Sequence, residues 1–382
     1  MNVSPNKDIL KWCREYERLS LEDVEKKVSN IGAIESGESN ISLGNLRKLA
    51  NLYKRPLPLF FKKALVHTEK RDPDFRTVAN VKFEELLSNT YLAVRDAQVK
   101  RANFLGILDD LEEIYQLNIP KFSFSEKPEE IAKKLRKHFD ISKEVHLKLE
   151  GKNDAQKYWI NILEAHGVLV FQYSLSQNGI RGFCLEGDDL PPTIVLNSSE
   201  FFPAGRIFTL FHELCHILLK EDSRTIPHEK LEKFCNRFAG AFLVPEESLQ
   251  TSNNLDNYLQ EFKSFWLSRL AGEFKVSQDV ILIRLAQLEY ISQAFCYEQI
   301  KVIEESRKVV LNNQKQKEKS GFLDQSRRAY MNTGKLFTNK LLNGYESGLL
   351  GKARIVEILN TTNKSFAGVR ELAHFERVRF KE

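Results

Sequence analysis

Hydrophobic residues recur at helical spacing over most of the chain. In the first sixty residues, Ile9, Leu10 and Cys13 begin this pattern, and the runs "LSLEDVEKKV" and "LGNLRKLANLY" continue it. Ser20, followed three residues later by Asp23, forms a capping-box-like start for the second helix. The prolines of "KRPLPLFF" cannot continue a helix. The pattern therefore predicts a small helical domain that ends near Phe61.

The pattern changes to short β-rich runs between residues 167 and 199. The runs "GVLVFQYS", "RGFCLEG" and "PTIVLNSS" are separated by Gly, Asn, Asp and Pro, which predicts three strands of a small sheet. Helical periodicity precedes them and returns in "GRIFTLFHELCHILLK" and "EKLEKFCNRFAGAFLVP". The order helices, strands, helices predicts a predominantly helical α+β fold rather than a parallel βαβ sheet.

Polar segments divide the chain into predicted regions. The stretch after Phe61 contains the breakers of "RDPD", and a Lys/Gln-rich stretch near residue 310 is typical of solvent-exposed chain. The predicted regions are a helical domain (1–61), a linker (62–81), a main domain (82–300) with a helical lead-in (82–165) and a core (166–295), a polar linker (301–321), and a C-terminal helical appendage (322–382).

Composition narrows the class of protein. At 382 residues the chain is too long for one typical core. It has no apolar run of about 20 residues and no signal-peptide pattern, so we expect a cytoplasmic protein without a membrane partner. Its 5 cysteines are scattered, which favours reduced, buried thiols over a disulfide framework. A net charge of +5 permits a nucleic-acid partner without requiring one.

The stretch "TLFHELCHILLK" carries the strongest chemical signal. His212 and His216 are one helical turn apart on the same face, so their ring nitrogens can converge on one cation, for which Zn²⁺ is the default. Glu213 can then act as a general base toward water. The flanking residues are almost all apolar, which predicts a buried helix.

A catalytic zinc site usually needs a third protein ligand. The candidates downstream are Asp222, His228, Glu229 and Glu232. The elongated motif with a third His six residues after the second is absent, because position 222 is Asp. Glu232 is favoured, since it lies on a second amphipathic helix that can pack back against the first.

The sequences "RIFTLFHELCHILL" and "EKFCNRFAGAFLVP" resemble the ImmA/IrrE family of zinc metallopeptidases. The resemblance spans roughly residues 165 to 295. It implies a zincin-like domain in which His212, His216 and Glu232 bind Zn²⁺ and Glu213 is the general acid/base.

The resemblance also bears on neighbouring positions. Asn236 and Phe238 match motif residues that we expect to pack the two helices. Cys215 replaces the small residue that is common in the family, and it points about 100° away from His216, so it is not an expected ligand. For stabilisation of the oxyanion, His228, Tyr173 and Arg206 are the candidates. The strand "RGFCLEG" is either a free edge for an extended substrate or an internal strand.

The N-terminal segment, ending in "LRKLANLYKRPLPLFF", resembles an Xre-like helix-turn-helix domain. The segment available for its turn and recognition helix together is about four residues shorter than usual, which leaves a recognition helix of about a turn and a half. Its basic residues are nearly balanced by acidic ones, which favours a solvated surface over a phosphate-binding face. We therefore expect it to dock a partner protein, with DNA binding as the alternative.

Two functions follow from these patterns. The first is a zinc-dependent endopeptidase that cleaves a specific protein target. The resemblance implies that this target is a transcriptional repressor or antitoxin-like protein, in stress response or in mobile-element or phage regulation. The second is a DNA-binding or partner-binding regulator, a toxin–antitoxin or defence component, whose zinc domain is a sensor or scaffold. Replacing Glu213 with Gln distinguishes them, because it removes the base and keeps the metal ligands.

Overall fold

The structure is a computed structural model that describes most of the chain. The described residues are 2–17, 19–53, 55, 57–62, 88–142, 144–175, 179–186, 190–200, 202–220, 225–315 and 324–379. All but the first residue of the expected 62–81 linker lies outside them, as do residues 316–321 of the expected polar linker.

The N-terminal segment folds into short helices around its own apolar core. Its elements are β1 (Asn2–Val3), α1 (Lys7–Tyr16), α2 (Leu21–Glu25), α3 (Ile31–Ser36), β2 (Ile41–Ser42), α4 (Leu43–Leu52) and a 3-10 helix (Leu57–Phe61). Strands β1 and β2 pair in antiparallel fashion. The predicted capping box is confirmed, since Ser20 and Asp23 cap each other's backbone N–H groups at the start of α2. Helix α3 has only 6 residues.

Among the described residues, four helices lead into the sheet. They are α5 (Ser88–Asp110), α6 (Pro128–His138), α7 (Val145–Lys148) and α8 (Lys152–Ala165). Helix α5 contacts the N-terminal segment through Leu92, which packs against that segment's core, and through Arg95. The Arg95 guanidinium lies 3.9 Å from the buried carboxylate of Glu17, which Arg55 approaches within 3.5 Å.

The three predicted strands are present. They are β3 (Leu169–Tyr173), β4 (Gly182–Leu185) and β5 (Thr193–Asn197), in the spatial order β3-β5-β4. Strand β4 is antiparallel to β5, but β3 is parallel to it, with Phe171 opposite Val195. The sheet is therefore mixed. A mixed sheet agrees with an α+β fold, but the sequence does not predict the parallel pairing of β3 with β5. Within the described chain β4 is an edge strand.

Helices follow the sheet to the C-terminus. They are α9 (Pro203–Leu218), α10 (His228–Leu243), α11 (Glu246–Gln250), α12 (Asn253–Glu261), α13 (Ser264–Glu273), α14 (Gln278–Gln287), α15 (Gln293–Lys315), α16 (Gln325–Thr333), α17 (Lys335–Glu346), α18 (Lys352–Ile358) and α19 (Asn363–Arg379). No helix in the described ranges is both long and apolar enough to cross a membrane.

Both faces of the sheet are buried. One face, including Val170, Ile194 and Leu196, joins the large core built by α6 and α8 to α14. The other face, including Phe171 and Val195, joins a second core with residues of α5 and of the C-terminal helices. Strands buried on both sides read as near-continuous apolar runs, as "VLVF" does.

The C-terminal helices therefore correct one expectation from sequence. Residues 322–382 were expected to form an appendage, but α16 to α19 cover one face of the sheet, with Phe337, Leu341 and Phe366 buried there. The polar linker expected at 301–321 is helical as far as Lys315, because Lys, Gln and Glu have high helix propensity.

Candidate metal centre

Helix α9 carries the two histidines. It begins with Pro203, whose fixed φ suits the first turn of a helix, and its flanks are buried against α8, α10 and the sheet. The four-residue spacing places His212 and His216 on one face, with their Nε2 atoms 3.3 Å apart.

Helix α10 brings a carboxylate to the same point. It packs along α9, and Phe242 of α10 stacks on Phe211 of α9 at 4.2 Å between ring centroids. Glu232, near the start of α10, places Oε2 3.3 Å from His212 Nε2 and Oε1 3.6 Å from His216 Nε2. One ligand atom from each of these residues lies within 4.8 Å of the others. The arrangement is that of three ligands around one cation, with access from solvent because Glu232 is half-buried.

A second residue of α10 orients one of the histidines. The Asn236 Oδ1 atom lies 3.0 Å from His212 Nδ1. If His212 donates its Nδ1–H to this oxygen, its Nε2 lone pair faces the other two candidate ligands, as in the outer shell of most metal sites. The sequence predicts only a helix-packing role for Asn236, so its hydrogen bond to His212 is a finding of the structure. Its position four residues after Glu232, on the same helical face, was the signal available in the sequence. The Nδ1 atom of His216 is buried and has no partner in the described part of the chain.

The charges of the group suit a cation. Burial raises the pKa of Glu232, but its hydrogen bond to His212 and the charges of the nearby histidines outweigh burial, and the net pKa is below its ordinary value. Burial, with His212 nearby, lowers the pKa of His216 to about 4. Burial also lowers the pKa of His212, but the effect of Glu232 and Glu213, which raise this pKa, is larger. The net pKa of His212 therefore lies above its ordinary value. Near neutral pH the group thus has an ionised carboxylate and a neutral His216, the forms that bind divalent cations.

Glu213 lies beside the group and is 6% exposed. Its Oε2 atom has no hydrogen-bond partner among the described residues. Burial raises the pKa of this carboxyl to about 7, and the Glu232 carboxylate adds to the effect, while His212 and the Cys184 thiol oppose it. A buried carboxyl oxygen with no protein partner fits a site that takes a polar ligand or water.

Strand β4 passes over α9 at Glu213. A Cβ atom on Gly182 would lie 2.6 Å from Thr209 Cγ2, 2.7 Å from the Val195 carbonyl oxygen and 3.8 Å from Glu213 Cγ. Only glycine therefore permits this close approach. The edge strand therefore passes close to α9 at the position of the candidate base.

The other residues considered from sequence lie elsewhere or serve other contacts. Tyr173 is buried on the opposite side of the sheet, where its hydroxyl donates to Asp96. Arg206 donates from Nε to Gln156 and from Nη1 to the Glu200 carbonyl oxygen. Neither contact places the side chain at the histidine pair.

Three further candidates come from the segment before Glu232. His228 lies next to it, with Nε2 3.7 Å from Glu232 Oε1, but is not one of the three clustered ligands. Glu229 is exposed and pairs with Lys233. Asp222 lies outside the described residues. Cys215 is buried against α10. All 5 cysteines are buried, and none of them forms a disulfide.

The comparison with protein families bears on this part of the chain. Residues 163–286 match the family model of the IrrE N-terminal-like domain, Peptidase_M78.

The Peptidase_M78 region runs from the end of α8 to the end of α14 and contains the sheet, α9 and α10. It is about a third of the chain. The match supports the resemblance to the ImmA/IrrE family and suggests a metallopeptidase of that type. No curated protein and no solved structure gives a significant match to the chain.

Proposed function

We propose that the chain is a zinc-dependent endopeptidase that cleaves a specific protein target. One observation carries the proposal: the two imidazoles of α9 and the carboxylate of Glu232 converge within 4.8 Å, with the buried Glu213 beside them. The Peptidase_M78 match is consistent with this chemistry, because a metallopeptidase needs a metal ion.

The residues have separate roles in this proposal. His212, His216 and Glu232 hold the cation, and Asn236 fixes the orientation of His212. When bound, Zn²⁺ polarises a peptide carbonyl and makes water more acidic. Glu213 takes the proton from the attacking water and returns it to the leaving amine.

The edge of β4 is the substrate-binding surface in this proposal. Among the described residues, no strand pairs with the side of β4 that faces away from β5, so the backbone groups on that side lie at the edge of the sheet. An extended peptide can add there as a further strand, so that backbone hydrogen bonds give affinity. Because β4 passes close to Glu213 at Gly182, a peptide added to this edge would lie near the base.

The proposed target is a transcriptional repressor or antitoxin-like protein, and the N-terminal domain is its docking module. The internal ion pairs of this domain support a protein partner over DNA. Arg14 Nε lies 2.9 Å from Glu35 Oε1, Arg55 approaches Glu17, and Lys26 lies 3.0 Å from Asp23. Cations that already have acidic partners contribute little to phosphate binding.

Replacing Glu213 with Gln tests the enzyme. Wild-type protein and the Glu213→Gln variant are produced in the native host lacking the endogenous gene, and new protein N-termini are quantified by mass spectrometry. We expect a small set of new N-termini with the wild type only. Glu229→Gln, a change of the same kind at an exposed residue of α10, is the matched control and should behave as the wild type.

The outcomes separate the two functions. If Glu213→Gln yields the same new N-termini as the wild type, Glu213 is not the base and the proposal fails. If the variant also retains the biological effect without any cleavage, the chain acts as a regulator whose metal domain is a sensor or scaffold.

A further inference from the structure

Strand β4 presents a cysteine to the helix that carries the candidate base. Side chains alternate between the two faces of a strand, so Cys184 lies on the same face of β4 as Gly182. Cys184 belongs to the core that contains α9, whereas its neighbours Phe183 and Leu185 belong to the core on the other side of the sheet. The thiol is therefore on the face of β4 that lies against α9.

The Cys184 thiol forms a hydrogen bond with the carboxyl group of Glu213. Both side chains are buried, with Cys184 4% and Glu213 6% exposed. The Glu213 Oε2 atom has no partner among the described residues, so the thiol contacts the carboxyl group through its other oxygen. Because the S–H group donates, this bond favours the ionised carboxylate and lowers its pKa, against the larger effect of burial.

A second carboxylate lies within reach of the same sulfur. The Oε1 atom of Glu186, directly after β4, is 3.8 Å from Cys184 Sγ. A thiol has a single hydrogen, so it can donate to only one of the two carboxylates at a time. Glu186 is partly exposed, so water can solvate its oxygens, whereas Glu213 is buried. A buried carboxylate oxygen without a donor is costly, which favours donation to Glu213.

The contact with Cys184 is directional, unlike the charge effects of His212 and Glu232 on the same carboxyl group. The terminal torsion of a Glu side chain has only a broad preference, so a carboxyl group without a directional contact can rotate. Cys184 is itself held by the sheet, because β4 pairs with β5 and Cys184 lies opposite Ile194. The thiol is therefore a fixed donor that restricts the rotation of the Glu213 carboxyl group.

From these contacts we infer that Cys184 is a positioning residue for Glu213 in the proposed peptidase reaction. The thiol holds one oxygen of the carboxyl group and leaves Oε2 to take the proton from the attacking water. Proton transfer of this kind is sensitive to geometry, since a displacement of about 1 Å can lower the rate by about 100-fold. The inference rests on the proposed function, because Cys184 has this role only if Glu213 is the base.

Infrared spectroscopy of the purified full chain tests the contact without a substrate. The S–H stretching band of Cys184 is the difference between the spectrum of a protein with Cys184 and that of the same protein carrying Cys184→Ala. We expect this band to shift in Glu213→Gln, which replaces a charged acceptor with a neutral one. It should stay in place in Glu186→Gln, the matched control. A shift in Glu186→Gln alone would show that the thiol donates to the other carboxylate and would overturn the inference.

The rate at which new protein N-termini appear in the native host tests the positioning role. Cys184→Ala should lower this rate by about tenfold, because it removes a hydrogen bond to a carboxylate. Cys184→Ser keeps a donor at the same place and should restore most of the rate. Both variants should remain folded and bind zinc as the wild type does, which separates positioning from a structural role. Cys296→Ala, the same change at a buried cysteine of α15, should cleave as the wild type does.

The outcomes separate this inference from the proposed function. If the wild type yields no new N-termini, the proposed function fails, and the positioning role fails with it even where the infrared band shows the contact. If the wild type cleaves and Glu213→Gln does not, but Cys184→Ala cleaves at the wild-type rate, the proposed function stands and the inference is wrong. Equal losses in Cys184→Ala and Cys184→Ser would assign the effect to packing of the sulfur and would also overturn the inference.

Discussion

The Asn236 side chain contacts the ring nitrogen of His212 that does not face the other candidate ligands. Its Oδ1 atom, 3.0 Å from Nδ1, favours the tautomer with a free lone pair on Nε2. Asn236→Ala should therefore weaken zinc binding by about 10–100-fold, the usual effect of losing an outer partner of a metal ligand. Competition with a chromogenic chelator measures this affinity. Asn236→Asp keeps an acceptor and should retain tight binding, and an alanine variant that binds zinc as the wild type does would show that Asn236 does not orient the ligand.

Glu164 makes stability depend on pH. Its ordinary pKa of 4.5 is raised by burial to about 8 in the folded protein. Below about pH 4.5 the Glu164 carboxyl is protonated in both the folded and the unfolded protein, and its contribution to stability is fully present. As pH rises toward 8 the unfolded chain releases the proton while the folded protein keeps it, so the free energy of unfolding decreases, by at most about 5 kcal/mol.

Urea unfolding at pH 5 and pH 8 measures this contribution. Glu164→Gln cannot ionise, so the decrease in the free energy of unfolding from pH 5 to 8 should be smaller in the variant than in the wild type. An equal decrease in both proteins would assign the pH dependence to other groups.

The sequence predicts a functional residue when the signal is local, and it gives little information when the residue's contacts are long-range. His212, Glu213 and His216 follow from local spacing on one helix, and the packed second helix favours Glu232. Tyr173 and Arg206 are candidates from sequence for stabilising the oxyanion, but in the structure they contact Asp96 and Gln156, which come from other elements. Long-range hydrogen bonds of this kind have no local sequence signal.

At the scale of elements, the site depends on three packed pieces: α9, α10 and β4. Their existence follows from hydrophobic periodicity, since α9 is buried nearly all round and β4 is a short apolar run. The register of β4 over α9 does not follow from periodicity, because it depends on Gly182 lying against Thr209 and the Val195 carbonyl.

Gly182→Ala tests that contact. The added Cβ would lie 2.6 Å from Thr209 Cγ2 and 2.7 Å from a carbonyl oxygen, so we expect a loss of about 1–3 kcal/mol in the free energy of unfolding. The control is Gly272→Ala in α13, where a Cβ meets nothing within 4 Å. There the helix should keep its stability or gain about 0.5–1 kcal/mol. Chemical denaturation that shows no difference between the two variants would mean that β4 does not pack tightly on α9.

At the scale of the whole molecule, the C-terminal helices complete the fold. The apolar run "VLVF" of β3 is typical of a strand buried on both faces, and such a strand needs a layer of packed residues on each face of its sheet. The sequence pattern identified helices near the C-terminus but not the surface that they cover, because a helix's partner is set by tertiary packing. The parallel pairing of β3 with β5 was missed for the same reason.

Phe337→Ala tests this role of the C-terminal helices. Phe337 is fully buried and makes an edge-to-face contact with Phe104 of α5 at 5.2 Å. Its truncation should lower the free energy of unfolding by about 3–5 kcal/mol and increase hydrogen exchange in the strands as well as in α17. Leu349→Ala, at a residue 60% exposed, should change stability by less than about 0.5 kcal/mol. If only the C-terminal helices exchange faster in Phe337→Ala, they form a separate unit.

The metal content of the purified protein tests the central claim, that α9 and α10 together hold one cation. Inductively coupled plasma mass spectrometry should find about one zinc per chain in the wild type, in Glu213→Gln and in the control Glu229→Gln, and almost none in Glu232→Gln, with all four proteins folded by circular dichroism. A folded wild-type protein that binds no zinc even when zinc is supplied, or a Glu232→Gln variant that keeps a full equivalent, would contradict the account.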